Sequence, residues 1–186
     1  MGGINMPIVE YNSLNQMYPS GAMSENVKRL KDYDVFHCLL AGGVDRAAAV
    51  TKRVPSLPKD FLKWLEVCDG GMLFDTVMLC TKTHDVVLDL DFETYGDYYD
   101  TELRTSKGLS KDWFVFAVAI HGDVFFFDMG KRDGQVYQWD VEECKIYVTW
   151  QTFEDWLTSI IDEAITLIAE EQLEPLDIKL EVDDNG

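Results

Sequence analysis

The sequence contains few residues whose type and spacing could support catalysis. His84, which precedes Asp85, and His121 could each act with a carboxylate as acid and base, as could Asp123 with Asp128. His121 lies beside a turn glycine, however, and the two aspartates flank an apolar run, where turns and caps favour such side chains. The sequence has no glycine-rich phosphate loop, nucleophile elbow or paired-histidine zinc motif. We therefore expect no catalytic residues and a protein that is not an enzyme.

The spacing of candidate metal ligands is also unfavourable. Asp89, Asp91 and Glu93 resemble the start of a calcium-binding loop, but Thr94 occupies the sixth position, where such loops need glycine. The four cysteines are far apart and include no C-x-x-C pair: Cys38, Cys68, Cys80 and Cys144. We expect no metal site, no disulfide and no cofactor, and we interpret the cysteines as buried packing residues.

The strongest feature of the composition is its acidity. The chain of 186 residues has 16 Lys and Arg against 34 Asp and Glu, which gives a formal net charge of −18. Nucleic acids and membrane surfaces are polyanionic, so this charge disfavours both as partners. It favours a basic protein as the partner.

Residues 85–102 combine acidic residues with three tyrosines and contain no basic residue. One interpretation is a solvated face that keeps the protein soluble, with the tyrosine rings fixing the segment to the sheet. The other is a recognition surface, because tyrosine supplies a large contact area at low entropic cost. Under the second interpretation, the partner-binding residues are Asp85, Asp89, Asp91, Glu93, Tyr95, Asp97, Tyr98, Tyr99, Asp100 and Glu102.

Length and composition predict one folded domain. A chain of this length can bury a single core, and 47% apolar residues exceeds the content of a disordered acidic chain. Residues 1–23 lack a sustained period and are predicted to form a loosely attached arm. Residues 24–172 would form the domain, and residues 173–186 an acidic C-terminal arm. Without a membrane span or a signal peptide, we expect a cytoplasmic monomer or weak homodimer.

Apolar residues three or four positions apart predict four helices. One helix spans residues 24–40, and a short one spans residues 45–51. Another begins after Ser56 and ends at the glycine pair 70–71, and the last begins after Thr152.

Between the helices, shorter apolar runs predict strands. They lie at residues 72–74, 77–80, 86–90, 113–120, 124–127, 136–140 and 145–150. Residues 92–110 interrupt these strands as an irregular excursion. Apolar and polar residues alternate along residues 176–182, which indicates either an added edge strand or an arm that pairs with another molecule. The predicted fold class is α+β, an antiparallel sheet of about five or six strands with helices packed on it.

Several of these segments share motifs with a known family. The order of the motifs over residues 24–164 resembles the SUKH superfamily, the Smi/Knr-type domains, although Asp69 stands where that family usually has asparagine. These motifs are the Leu-Pro helix, the glycine pair, the hairpin and the last helix. Their residues are Leu57, Pro58, Phe61, Trp64, Asp69, Gly70, Gly71, Gly122, Asp123, Asp128, Phe153 and Trp156.

This resemblance implies an α+β binding domain without catalytic residues. Many bacterial members are immunity proteins that neutralise secreted toxins, often nucleases, and a fungal regulator of cell-wall synthesis gave the group its name. The resemblance and the charge together predict an immunity or antitoxin protein whose acidic surface binds a basic, nuclease-like toxin. The alternative is a scaffold or regulatory subunit, of the cell-wall, signalling or phage-related kind, that binds through its C-terminal arm.

Overall fold

The computed structural model describes residues 9–80, 101–170, 173 and 175. Its helices are α1 (Tyr11–Met17), α2 (Ala22–Asp32), α3 (Val44–Arg53), α4 (Lys59–Leu65), α5 (Thr101–Ser106) and α6 (Phe153–Ala169). Its strands are β1 (His37–Ala41), β2 (Cys68–Leu73), β3 (Thr76–Met78), β4 (Trp113–Ala119), β5 (Val124–Asp128), β6 (Val136–Asp140) and β7 (Lys145–Trp150). A 3-10 turn, Asp34–Phe36, precedes β1.

The described strands form one antiparallel sheet. Its seven strands follow the order of the chain from β1 to β7, and each pairs with the next. The α+β fold class is confirmed, with seven strands instead of the expected five or six. The predicted strand at 86–90, residues 92–100 of the excursion and the predicted strand at 176–182 lie outside the described residues.

The extra strand comes from a segment that was predicted to be helical. The predicted helix over residues 24–40 is correct only as far as Asp32, where α2 ends, and His37–Ala41 pairs with β2. Cys38, Leu39 and Leu40 are all buried, which a helix with one apolar face does not require. A continuous apolar run fits a strand covered on both faces equally well, and here the pairing with β2 selects the strand.

The glycine pair also has a different role from the predicted one. Helix α4 ends at Leu65, so Gly70 and Gly71 do not end it but lie inside β2. Both have positive φ, +87° and +119°, which side-chain-bearing residues rarely adopt. The two glycines therefore give β2 a backbone conformation that allows it to lie close to β1 and to residues 78–80.

The main core lies between the sheet and helices α4 and α6. Strand β5 directs Phe125 and Phe127 to this side, and the ring of Phe61 in α4 lies 5.1 Å from that of Phe127 and 5.3 Å from that of Phe153. The Thr152 side chain accepts a hydrogen bond from the Asp155 backbone N–H at 3.0 Å. The predicted N-cap of the last helix is therefore confirmed.

Residues 9–23 belong to the folded unit. Val9 donates its backbone N–H to the Leu39 carbonyl oxygen at 2.9 Å, and Leu14 in α1 is 1% exposed. Tyr18 and Met23 are also buried in the core. The prediction of a loosely attached arm is therefore wrong for this part, because single large side chains without a regular period are enough to dock a short helix. The boundaries predicted at residues 172 and 173 stay a prediction.

A buried histidine connects α1 to β1. The Tyr11 hydroxyl lies 2.8 Å from His37 Nε2, and His37 Nδ1 lies 3.2 Å from the Tyr33 carbonyl oxygen. Since a carbonyl only accepts, Nδ1 donates to the Tyr33 carbonyl oxygen. The single proton of the Tyr11 hydroxyl is shared between Nε2 and the Leu30 carbonyl oxygen, which lies 3.1 Å from the hydroxyl. Burial lowers the pKa of His37, although the Tyr33 carbonyl and the nearby Asp34 act in the opposite direction.

This lowered pKa predicts a loss of stability in mild acid. The unfolded chain, with a histidine pKa of about 6.5, binds a proton at a pH where folded His37 does not. His37 makes its full contribution to the free energy of unfolding above about pH 6.5. As the pH falls below that value, the contribution declines by up to about 1.4 kcal/mol per pH unit until the folded-state pKa is reached. Urea unfolding between pH 7.5 and pH 5.5 should show this slope. His37→Gln should abolish it and His121→Gln, at an exposed histidine, should keep it; an unchanged slope in His37→Gln would contradict the assignment.

Candidate functional site

The predicted partner-binding segment is described only at its end. Glu102 is exposed on α5. The other nine candidates lie outside the described residues: Asp85, Asp89, Asp91, Glu93, Tyr95, Asp97, Tyr98, Tyr99 and Asp100. Their role as a contact surface stays a prediction.

Helix α5, which follows this segment, is fixed to the sheet by its arginine. Arg104 is 7% exposed and donates from Nη1 to the Ser110 carbonyl oxygen at 2.5 Å and from Nη2 to the Trp113 carbonyl oxygen at 2.8 Å. Trp139 Nε1 donates to the Lys107 carbonyl oxygen at 3.2 Å. The connection from α5 to β4 is therefore held at the sheet by several hydrogen bonds.

The face at which α5 is held is opposite to α4 and α6. Because side chains alternate along a strand, Phe126 points away from the side of Phe125 and Phe127. Its ring stacks on Trp113 at 4.0 Å and on Tyr137 at 5.4 Å, and Trp113 contacts Trp139 edge-on at 5.1 Å. The connection that follows α5 lies against this aromatic face, defined by Trp113, Phe126, Tyr137 and Trp139, through the hydrogen bond from Trp139 to Lys107.

The candidate acid–base residues do not converge. Asp123 accepts hydrogen bonds from Gln138 Nε2 at 2.9 Å and from the Val141 backbone N–H at 3.4 Å, and exposed His121 lies 3.2 Å from it. Asp128 accepts from the Gly130 N–H at 2.9 Å in a separate turn. The two aspartates lie at opposite ends of β5, and each fixes its own turn. His84 and Asp85 lie outside the described residues.

Three of the four cysteines are buried and one is not. Cys38, Cys68 and Cys80 are buried, and burial raises the pKa of each thiol, that of Cys80 to about 12. Cys144 is exposed in the turn before β7, so its predicted packing role is wrong. Within the described part of the chain, no three His, Cys, Asp or Glu side chains are grouped as metal ligands would be.

The family-like residues are mainly structural. Phe61, Trp64, Phe153 and Trp156 are at most 1% exposed and fill the core, with Leu57 nearby at 5%, and Pro58 is the N-cap of α4. These positions explain why the segments fold together.

Asp69 forms an ion pair that the sequence analysis missed. Its side chain is completely buried in β2, and Arg46 Nη1 in α3 lies 2.6 Å from its Oδ2. The same Arg46 nitrogen donates to the Ala41 carbonyl oxygen at 2.9 Å. The arginine thus balances the charge that aspartate introduces where the resembling family usually has asparagine. Arg46, in a short alanine-rich helix, was the available signal. Asp69 lies 23 positions further along the chain, so the sequence did not indicate that the two residues pair.

The exposed surface carries further carboxylates on α6. Asp155, Glu163 and Glu170 are exposed, and the helix contains no basic residue. Asp162 is also exposed but is paired with Arg29 of α2 at 2.5 Å. Acidic side chains therefore lie on both sides of the sheet, with Glu102 on one and α6 on the other.

The last strand exposes apolar surface that the sequence analysis did not single out. Among the described strands, β7 pairs only with β6, and it exposes Ile146 by 41% and Tyr147 by 66%. Ile146 and Tyr147 are adjacent and lie on opposite faces of the strand, so alternation along residues 145–150 indicates exposure of only one of them. No helix among the described residues is long and apolar enough to cross a membrane.

Comparison with known proteins identifies one family. The sequence model of the SMI1 / KNR4 family (SUKH-1) matches residues 48–159, more than half of the chain. The match spans α4, the strands from β2 to β7 and the start of α6. No curated protein and no solved structure matches the chain significantly.

Proposed function

Because the chain belongs to the SMI1 / KNR4 family (SUKH-1), we propose that it is a non-enzymatic protein-binding domain of the immunity type. Its partner is a basic, nuclease-like toxin, which it neutralises through an acidic surface. The observation that carries the proposal is the net charge of −18 on a domain of this family. A surface with this charge can occupy the groove that a nuclease uses for nucleic acid.

The contact surface in this proposal is the acidic segment that ends at Glu102. Helix α5 is fixed by Arg104, which supports the proposal because a partner then meets carboxylates on an anchored element. Pre-organisation lowers the entropic cost of association. The placement of Asp97 and Asp100 just before this helix makes them the residues to test.

Charge reversal should reveal whether these carboxylates guide association. The probe is the basic C-terminal domain of a secreted toxin encoded beside this chain, and stopped-flow kinetics measures its association rate. Asp97→Lys with Asp100→Lys should lower that rate by about tenfold at low salt, because steering by opposite charges raises association rates by tenfold or more. The difference from the unmodified chain should disappear near 1 M salt, where the screening length is only about 3 Å.

The matched control is Glu163→Lys, a reversal at an exposed residue of α6 on the other side of the sheet. We expect it to change the rate by less than about twofold. Equal effects of both reversals would contradict the proposed surface. Binding that is independent of salt, or the absence of a basic toxin gene beside this one, would contradict the function itself.

The exposed edge of β7 favours a second candidate function. A scaffold or regulatory subunit could bind through residues 175–186, since an added strand would pair with the backbone edge of β7, which among the described strands pairs only with β6. Deleting residues 175–186 separates the two candidates. Loss of an oligomer with an intact monomer, measured by analytical ultracentrifugation, would support the scaffold. Toxin protection that survives the deletion would support the immunity function.

A further inference from the structure

A cleft on the helical side of the molecule is independent of the surface proposed above. It has a volume of about 310 Å³, and Tyr18, Met23, Asp60, Lys63, Phe153 and Glu154 are among its lining residues. The starts of α2 and α6 meet helix α4 around it: Asp60 comes from the first turn of α4 and Lys63 from its last turn. The volume is at the lower end of the range of about 300–1,000 Å³ for small-molecule sites.

Tyr18 provides a polar group in this cleft that no group of the described residues satisfies. The residue is 7% exposed, and its hydroxyl makes no hydrogen bond to any described residue. Among the described residues, the hydroxyl is not one of the fully enclosed polar atoms that lack a partner, so it reaches open space. Burial raises the pKa of Tyr18, and the thiol of Cys68 and nearby carboxylates raise it further. The hydroxyl therefore stays protonated and can donate.

The start of α2 adds two backbone donors. Its N-cap, Gly21, has φ +88° and supplies no side-chain cap. The N–H groups of Ser24 and Glu25 bond to the Gly21 carbonyl oxygen, whereas those of Ala22 and Met23 have no acceptor among the described residues. Ala22 and Met23 line the cleft, so their N–H groups and the positive end of the helix dipole are available there.

Lys63 adds a full positive charge. Its Nζ lies 4.4 Å from the centroid of the Tyr18 ring, and no carboxylate of the described residues forms an ion pair with it. An ammonium over an aromatic face is held in place by the ring quadrupole. The cation therefore lies over the Tyr18 ring at the cleft, and it has no ion pair with any described residue.

Two carboxylates also line the cleft. Asp60 uses Oδ1 to accept from the Phe61 N–H at 3.0 Å and Oδ2 to accept from the Phe153 N–H at 3.1 Å. Its charge therefore complements the start of α6, and Glu154 lies in the first turn of the same helix. The donors at Tyr18, Ala22, Met23 and Lys63 are left for a ligand.

We propose that this cleft binds a small organic carboxylate. Its oxygens accept hydrogen bonds from the Tyr18 hydroxyl and the α2 backbone and contact Lys63, and its apolar part packs against Met23 and Phe153. An anion is favoured over a cation because the free polar groups are mainly donors: Asp60 already accepts from two backbone N–H groups, which leaves Glu154 as the other lining carboxylate. Glu154 opposes the binding of an anion without preventing it, because it is partly exposed and solvent screens its charge.

Benzoate is a suitable probe, and benzylamine, which has the same ring and the opposite charge, is the matched control. Titration of the full-length ¹⁵N-labelled chain at constant ionic strength should shift the amide signals of Gly21, Ala22, Met23 and Lys63 with benzoate only. Tyr18→Phe should weaken benzoate binding by roughly threefold to tenfold, the range expected for one hydrogen bond. Lys63→Ala should weaken it at least as much, and Glu154→Gln should strengthen it.

The control for Lys63 is Lys59→Ala, an exposed lysine of the same helix that does not line the cleft. It should leave the affinity within about twofold. Binding of benzylamine with similar affinity, equal weakening by Lys59→Ala and Lys63→Ala, or no shift at residues 21–23 would each overturn the proposal. The amide spectrum of each variant reports its folding, and no toxin is needed, so the result is separate from that of the proposed function.

Discussion

Replacing Arg46 with alanine should destabilise the protein by about 3 kcal/mol. The substitution takes away the cation that lies 2.6 Å from the fully buried Asp69 carboxylate, while the charge stays in the core. Breaking a buried pair by removing one member typically costs about 3–5 kcal/mol. We expect the lower end because the Arg46 side chain is 27% exposed, so water can enter part of the space. Urea unfolding at pH 7.5 measures the loss.

The origin of this effect can be tested with a second substitution. Asp69→Asn removes the buried charge while preserving its shape, so the double variant Arg46→Ala with Asp69→Asn should recover more than half of the stability lost in Arg46→Ala. If the double variant is as unstable as the sum of the two single variants, the arginine acts through its bond to the Ala41 carbonyl and not through Asp69. Lys52→Ala, at an exposed residue of the same helix, should change stability by less than about 0.5 kcal/mol.

Replacing Gly71 with alanine should be at least as damaging, with a loss of about 3–5 kcal/mol. A Cβ at this position would overlap the Cys38 carbonyl oxygen of β1, and the φ of +119° is strained for any residue with a side chain. The clash is with backbone, so no rotamer change relieves it. The strands β1 and β2 would have to separate, and hydrogen exchange should accelerate first at the amides of residues 37–41.

Gly43→Ala is the matched control. A Cβ at Gly43 has no atom within 4 Å, and its φ of 170° is ordinary extended backbone. This variant should stay within about 0.5 kcal/mol of the unmodified protein. A small effect of Gly71→Ala with unchanged exchange in β1 would show that the strands can accommodate the methyl group, which contradicts the close approach.

The secondary structure of the C-terminal half could be predicted from the sequence, whereas that of residues 37–40 could not. The hairpin of β4 and β5 follows from two apolar runs that a turn separates, and β6 and β7 follow from shorter runs, the last of them alternating. The start of the last helix after Thr152 follows from a local side-chain hydrogen bond, and all of these were predicted. Residues 37–40 were not, because a short apolar run fits a helix as well as a buried strand. Pairing with β2, more than 25 residues away, decided between them.

The candidate sites also differ in whether their residues are near or far apart in the sequence. The acidic segment, the absence of a familiar catalytic motif and the resemblance to the SUKH superfamily could be read from residue types and their order. The pairing of Arg46 with Asp69, the close approach at Gly71 and the cleft beside Tyr18 join residues far apart in the chain.

By itself, the sequence determined the α+β class, the family motifs and the acidity, because these depend on composition and on neighbours within a few residues. The tertiary structure decided that residues 9–23 join the core, that the glycine pair lies within a strand, and which cation balances Asp69. Those outcomes depend on packing and electrostatic contacts between distant segments, which exist only once the chain has folded.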